Sequence, residues 1–84
     1  MKYSLSWSDR AKKEMTNLPE PIAKRIYTKI GLMRDNPYRT VERCTGYPYF
    51  HQRVGSYRAI LDINDAALLI RVHSVGLRKK VYDR

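Results

Sequence analysis

YFHQRVGSYRAILDINDAALLIRVHSV, residues 49–75, is the stretch that decides the fold. It contains three runs in which apolar and polar side chains alternate with the period of a half-buried β-strand. Gly55-Ser56 separates the first two runs and Asn64-Asp65-Ala66 separates the last two, and both are typical turn sequences. Consecutive strands joined by such short turns must pair antiparallel, which predicts a meander. The three predicted strands cover residues 49–54, 57–63 and 67–75.

The residues before the meander predict one more strand and a first helix. Residues 3–7 alternate apolar and polar side chains, as a half-buried strand does. Ser8 can then act as a helix N-cap, because its hydroxyl can accept a hydrogen bond from a free N–H of the first turn. Ala11 and Met15 recur at helical spacing, and Pro19 ends this helix.

A second helix is predicted from Glu20 to Asn36. Pro21 is acceptable in its first turn, and Asn36-Pro37 ends it. Residues 37–48 contain glycine and proline and lack periodicity, so they are predicted to be a loop. The apolar stripe of this helix is predicted to face the core and consists of Ile22, Ile26, Ile30 and Met33.

This order, β-α-α-β-β-β, predicts an α+β fold. The two N-terminal amphipathic helices need an apolar surface, and one face of a small antiparallel sheet supplies it. The 84 residues leave no room for a second core, so residues 1–84 are predicted to be a single domain. The other face of the sheet is then free to bind a partner.

Charge and composition narrow the class of partner. The chain has 17 Lys and Arg residues against 8 Asp and Glu, a formal net charge of +9 at pH 7, which favours a polyanion or an acidic protein. A single cysteine, Cys44, excludes an intrachain disulfide and a cysteine-cluster metal site, and no metal or cofactor is predicted. The sequence contains neither a signal peptide nor an apolar run of membrane-spanning length, so we expect a cytoplasmic protein without a membrane partner.

Strand parity divides the side chains of the meander between the two faces. One set is predicted to face the helices: Phe50, Gln52, Val54, Tyr57, Ala59, Leu61, Ile63, Leu68, Ile70 and Val72. The other set is predicted to face outward: Tyr49, His51, Arg53, Arg58, Ile60, Asp62, Arg71 and His73. The outward set is basic and aromatic, and Arg78, Lys79, Lys80 and Tyr82 follow the last strand.

These residue types suit metal-free cleavage of RNA by a ribose 2′-OH. The reaction needs a base for the hydroxyl proton, cations for the phosphoryl oxygens and an acid for the leaving oxygen. His51 titrates in the useful range, whereas Arg53 and Arg58 carry fixed positive charge. Arg78 could stabilise the leaving group, and Tyr82 could stack on a base or assist proton movement. The predicted RNA contacts beyond these are Lys79, Lys80, Arg71 and His73.

Each of these residues also has a purely structural interpretation. His51 could be an ordinary surface histidine, and Arg53 and Arg58 could solvate a strand or pair with Asp62. The run that begins at Arg78 could be a solvated tail. The functional interpretation rests on the shared face rather than on any single residue.

The chain resembles the RelE/ParE superfamily of small toxins over nearly its whole length. The segments that carry the resemblance are the opening strand, Ser8 to Glu14, the Leu18-Pro19 break, Gly46, Arg53-Val-Gly-Ser-Tyr-Arg58, Val75-Gly-Leu-Arg78 and Val81-Tyr82. Gly55 and Tyr57-Arg58 are shared widely in the superfamily. Arg78 and Tyr82 resemble residues of the RelE branch, whose members cleave messenger RNA on the ribosome.

The resemblance implies a role for each matching residue. Arg58 would stabilise the transition state at the scissile phosphate, Arg78 would serve the leaving group, and Tyr82 would stack on the message. Well-known members carry two lysines where this chain has His51 and Arg53. Because arginine is a poor base, His51 is the residue at these two positions that could supply one.

The resemblance also implies partners. An acidic antitoxin would wrap the toxin and mask its basic face, and the pair could form a heterotetramer. The other expected partners are the ribosome and messenger RNA. Two alternatives remain open: a ParE-like toxin that inhibits DNA gyrase without nuclease activity, and a degenerate member that only binds antitoxin and co-represses transcription.

Overall fold

The helices and strands follow the predicted order, with one short strand added. The computed structural model describes residues 2–44 and 46–77, and the structural statements below concern these residues. The elements are β1 (Ser4–Trp7), α1 (Asp9–Thr16), α2 (Glu20–Leu32), β2 (Glu42–Arg43), β3 (Phe50–Val54), β4 (Tyr57–Asn64) and β5 (Leu69–Leu77). The two helices and the sheet confirm the predicted α+β class.

The five strands form one mixed sheet in the order β1-β5-β4-β3-β2. Strands β2 to β5 pair antiparallel with their neighbours, whereas β1 runs parallel to β5, with Ser4 opposite Leu69. The prediction of a purely antiparallel sheet is therefore wrong at this edge. The meander is antiparallel because its turns are short, but β1 is connected to the meander through both helices, and so no short turn fixes its direction.

The short strand β2 lies inside residues 37–48, which were predicted to be an irregular loop. Glu42 pairs with His51 and Arg43 pairs with Phe50, so β2 adds an outer edge to the sheet. Two residues are too few to show a strand period in the sequence.

Helix α1 begins where the sequence predicts. The Ala11 N–H donates to Ser8 Oγ at 3.0 Å, and Ser8 Oγ donates to the carbonyl of His73 at 2.7 Å. Ser8 therefore caps the helix and also ties it to β5.

Helix α2 ends at Leu32, four residues before the predicted end at Asn36. The backbone N–H of Tyr3 donates to the Arg34 carbonyl at 2.8 Å, and Arg34 Nε donates to the Tyr3 carbonyl at 2.7 Å. Contacts with the start of β1 thus take the place of another helical turn.

The turns of the meander differ in how closely they match the prediction. Gly55 (φ 61°) and Ser56 join β3 to β4 as predicted, and a positive φ at the first turn position favours glycine. The second turn is longer than predicted, since β5 begins at Leu69 and Leu68 adopts a positive φ of 51°. Leu68 was predicted to be a core strand residue, and that prediction is wrong because a strand cannot continue through this backbone conformation.

The core lies between the helices and the helix-facing side of the sheet. Its buried apolar residues are Ala11, Ile26, Ile30, Met33, Ala59, Leu61, Ile70, Val72 and Val75. Gln52, a polar member of the predicted helix-facing set, is also buried, and its side chain accepts from Thr40 Oγ1 at 2.7 Å and donates to the Arg53 carbonyl at 3.0 Å. Neither helix of the described ranges is long and apolar enough to cross a membrane.

Replacing Leu61 by alanine should lower the free energy of unfolding by about 2–5 kcal/mol, because the side chain is fully buried and leaves a cavity. Leu32→Ala is the matched control, since Leu32 is 71% exposed and its loss should change stability by less than about 0.5 kcal/mol. Denaturant unfolding measures both values. Equal losses in the two variants would contradict this assignment of the core.

Candidate functional site

The register of β3 against β4 places the predicted basic residues on one face of the sheet. Arg53 lies directly opposite Arg58, and His51 lies opposite Ile60. The alternate pairs of the same ladder, such as Phe50 with Leu61, belong to the helix-facing side. Residues directly opposite each other in an antiparallel pair share a face, so His51, Arg53 and Arg58 lie on the side away from the helices.

Two of these residues are far less accessible than the sequence suggests. His51 is 5% exposed and Arg58 is 6% exposed, whereas Arg53 is exposed. The interpretation of His51 as an ordinary surface histidine, and of Arg58 as a solvating strand residue, is therefore wrong. An arginine side chain is rarely buried to this degree unless it is paired. The nitrogens of a buried imidazole likewise need hydrogen-bond partners.

The buried imidazole of His51 contacts polar side chains of β2, β4 and the segment after β2. Its Nε2 lies 2.7 Å from Glu42 Oε1 and 3.1 Å from a terminal nitrogen, Nη1, of Arg58. Its Nδ1 lies 3.6 Å from Sγ of Cys44, which is also buried. Glu42 reaches His51 because the two residues are direct cross-strand partners of β2 and β3. We call Glu42, Cys44, His51 and Arg58 the imidazole cluster.

The electrostatics of the imidazole cluster are centred on its carboxylate. The hydrogen bond with His51 lowers the pKa of Glu42 below its ordinary value. The charge of His51 lowers it further, desolvation opposes this shift, and the charges of Arg58 and Arg53 make smaller contributions that lower it. Glu42 is therefore ionised at neutral pH. Its side chain is 69% exposed, so its carboxylate contacts both the buried histidine and solvent.

Sequence reasoning missed the contribution of Glu42 and of Cys44 to this site. Cys44 was used only to exclude a disulfide and a cysteine-cluster metal site, but it is buried and lies against the imidazole. Glu42 was not singled out because it lies in a segment predicted to be a loop. Parity placed His51 on the free face but did not show its burial, and it is the burial that requires a polar neighbour such as Glu42.

His73 and Arg71 extend the same face along β5. The ring of His73 lies 4.8 Å from the ring of Tyr49, centroid to centroid, and His73 Nε2 lies 3.8 Å from Asp62 Oδ2. The β4–β5 register shifts at this point, pairing Ile60 with residue 74 and Leu61 with residue 72, so that His73 is the extra residue of a bulge. Arg71 donates to Ser6 Oγ at 2.6 Å, which ties this arginine to β1.

The remaining predicted site residues, Arg78, Lys79, Lys80 and Tyr82, lie outside the described residues. Within the described residues, strand β5 pairs Gly76 with Arg58 and Leu77 with Tyr57. In residues 2–44 and 46–77, no group of three or more His, Cys, Asp or Glu side chains is arranged to hold a metal ion.

The imidazole cluster and Arg53 together can perform a defined set of chemical tasks. The exposed Arg53 can hold a phosphate, because arginine presents a planar fork of donors, and the nearly buried Arg58 adds positive charge from the neighbouring strand. A carboxylate and an imidazole in hydrogen-bond contact can accept and hold a proton. A basic face of this kind, with Arg53 and Glu42 exposed, suits a phosphodiester more than a neutral metabolite.

The fold is that of RelE toxins. It superposes on a mutant of the Escherichia coli toxin RelE in the free state with a TM-score of 0.83 and 24% identity, over 95% of this chain and 87% of that chain. The intact Escherichia coli RelBE toxin–antitoxin complex gives a TM-score of 0.80 and 24% identity, over 89% and 95% of the two chains.

A RelB–RelE antitoxin–toxin complex from Methanococcus jannaschii gives a TM-score of 0.72 and 26% identity, over 93% of this chain and 95% of that chain. No protein-family model and no curated protein sequence matches the chain. The similarity to RelE toxins therefore lies in the backbone fold and in the short segments named in the sequence analysis.

Replacing His51 by phenylalanine should raise the pKa of Glu42 toward its ordinary value, because the hydrogen bond that lowers it is lost. The titration of the Glu42 carboxyl carbon by NMR measures this change. His73→Phe is the control, since His73 contacts Asp62 and Tyr49 rather than Glu42. An unchanged titration of Glu42 in His51→Phe would contradict the hydrogen bond.

Proposed function

We propose that the protein is the toxin of a toxin–antitoxin pair and that it cleaves messenger RNA on the ribosome, in the cytoplasm. The observation that carries the proposal is the buried Arg58, which contacts His51 at 3.1 Å and lies opposite Arg53 on the free face of a RelE-type sheet. Burying a guanidinium group costs free energy even when it has polar partners. A charged group that is buried in spite of this cost is typical of a functional site. The net charge of +9 supports a polyanionic substrate.

The proposed mechanism assigns charge stabilisation to the arginines. Arg53, which is exposed, would hold the scissile phosphate, and the positive charge of the nearly buried Arg58 would help to stabilise the negative charge that grows on its oxygens in the transition state. Arg78 would serve the leaving oxygen, and Tyr82 would stack on a base of the message. Lys79, Lys80, Arg71 and His73 would add contacts to the RNA backbone.

The proposal predicts that Arg58→Lys and Arg78→Ala relieve the growth arrest caused by expression. Lysine keeps the positive charge of Arg58 but loses the planar fork, so cleavage should fall at least about tenfold. Mapping of message ends on translating ribosomes measures cleavage directly. Arg10→Ala is the matched control, because Arg10 is an exposed residue of α1 that pairs with Glu14 one turn along the same helix.

Three outcomes of this experiment would contradict the proposal. Full toxicity and unchanged cleavage in both variants would remove the arginines from the mechanism. Growth arrest with intact messages and a DNA-damage response would favour a toxin that acts on DNA gyrase. Absence of any growth defect in the wild type would favour a member that only binds antitoxin. Thermal unfolding of each variant shows whether a loss of activity reflects a loss of fold.

We infer that the antitoxin partner is acidic and that one of its segments occupies a groove beside α2. This groove of about 620 Å³ runs between α2 and the β3–β4 turn. Leu32 and Val54 provide apolar contacts, and the cations along it are Lys24, Arg25, Lys29 and Arg53. No acidic side chain lines the groove among the described residues. A peptide with carboxylates beside an aliphatic side chain complements this surface.

The charge reversal Lys24→Glu with Lys29→Glu should weaken binding of the antitoxin at least about tenfold, because two attractive charges become repulsive. The same double reversal on α1, at Lys12 and Lys13, is the matched control for net charge. Calorimetry with the product of an adjacent short, acidic reading frame measures both affinities. Equal losses in the two double variants would mean that net charge, not the groove, governs binding.

A further inference from the structure

The base expected at His51 is not accessible to a substrate in the structure. The His51 side chain is 7% exposed, whereas the side chain of Glu42, 2.7 Å away, is 69% exposed. Both ring nitrogens face protein atoms, because Nε2 faces Glu42 and Arg58 while Nδ1 faces Cys44. A ribose hydroxyl on this face can reach the carboxylate of the cluster, but not the imidazole.

The hydrogen-bond chemistry of the cluster places a proton on His51 Nε2. An ionised carboxylate can only accept, so a distance of 2.7 Å from Glu42 Oε1 requires an N–H at Nε2. The Arg58 guanidinium can only donate, so it cannot bond an Nε2 that already carries hydrogen. Its contact with Nε2 at 3.1 Å instead brings positive charge near enough to Glu42 to lower the pKa of that carboxyl. The Nε2 atom therefore has no lone pair with which to accept a substrate proton.

We propose that Glu42 is the general base of the cleavage reaction and that His51 is the positioning residue that holds its carboxylate. This assignment rests on the proposed function and adds to it a residue that the RelE resemblance does not supply. Three features support it: Glu42 is the exposed member of the cluster, His51 fixes one of its oxygens, and Arg53 and Arg58 lie close enough to influence its ionisation.

The reaction balances with these groups. The Glu42 carboxylate takes the proton of the ribose 2′-OH while the 2′-oxygen forms a bond to phosphorus and the bond from phosphorus to the 5′-oxygen breaks. The leaving 5′-oxygen takes a proton from water. The products are a 2′,3′-cyclic phosphate and a 5′-hydroxyl, and Glu42 returns its proton to solvent.

The ionisation of Glu42 is consistent with this role. Because His51 lowers its pKa, the carboxylate is in the proton-accepting form at neutral pH. The same shift makes it a weaker base, so the arginines must compensate by stabilising the phosphoryl charge.

The test compares Glu42→Gln with wild type in single-turnover cleavage of a ribosome-bound message. Glutamine has almost the same shape but cannot accept the proton, so the rate at saturating ribosome concentration should fall about 10²–10⁴-fold. The half-saturating concentration should not rise, because a negative charge beside the phosphate has been removed. Glu20→Gln, an exposed glutamate in the first turn of α2, is the matched control and should retain the wild-type rate.

Two further variants separate the base from a merely structural residue. Glu42→Asp should recover part of the lost rate, because it restores a carboxylate at a slightly different position. His51→Asn should keep measurable activity and move the acidic limb of the pH–rate profile to higher pH, because the pKa of Glu42 rises when its hydrogen bond with the imidazole is lost.

The outcomes distinguish this assignment from the proposed function. If wild type cleaves and Glu42→Gln stays within about threefold of it, Glu42 is not the base, although the nuclease function stands. If His51→Asn abolishes cleavage while Glu42→Gln retains it, the base is His51. If wild type cleaves no message at all, the proposed function fails and the assignment of Glu42 fails with it.

Discussion

The two-residue turn at Gly55-Ser56 fixes the register of β3 against β4, and the arrangement of the candidate site depends on that register. It places Arg53 opposite Arg58 and leaves His51 on the same face, two residues along the strand. A slip by one residue would move these side chains against the helices and bring core residues such as Leu61 to the surface. The positive φ at Gly55 therefore links local backbone chemistry to the positions of His51, Arg53 and Arg58.

The same register brings polar side chains together where water is largely excluded. Arg58 and His51 are nearly buried beside the exposed carboxylate of Glu42. Burying a guanidinium group costs free energy that its partners only partly return, and apolar replacements of buried ion pairs are often neutral or stabilising. Burial of this cluster is therefore weak evidence for stability, whereas a carboxylate whose pKa is lowered by a buried neighbour is typical of functional sites.

Much of the scaffold could be predicted from the sequence, because its signals are local. Alternating residues in β3 to β5 and the Ser8 cap depend on neighbours within a few positions, and the strands and α1 formed as those residues indicate. The parallel pairing of β1, the early end of α2 and the strand β2 depend on tertiary contacts between distant segments, which a local period does not contain. Parity gave the face of His51 but not its burial, and the role of Glu42 depends on a two-residue strand.

In the proposed function, the free face of the sheet promotes attack by a ribose 2′-OH on a phosphodiester of a ribosome-bound message. Identifying the chemical ends of the cleaved message, by mass spectrometry of the fragments, tests this most directly. Attack by the ribose 2′-OH should leave a 2′,3′-cyclic phosphate on the upstream fragment and a 5′-hydroxyl on the downstream fragment. A 3′-hydroxyl with a 5′-phosphate would contradict it, because those ends require water rather than the ribose hydroxyl as the attacking group.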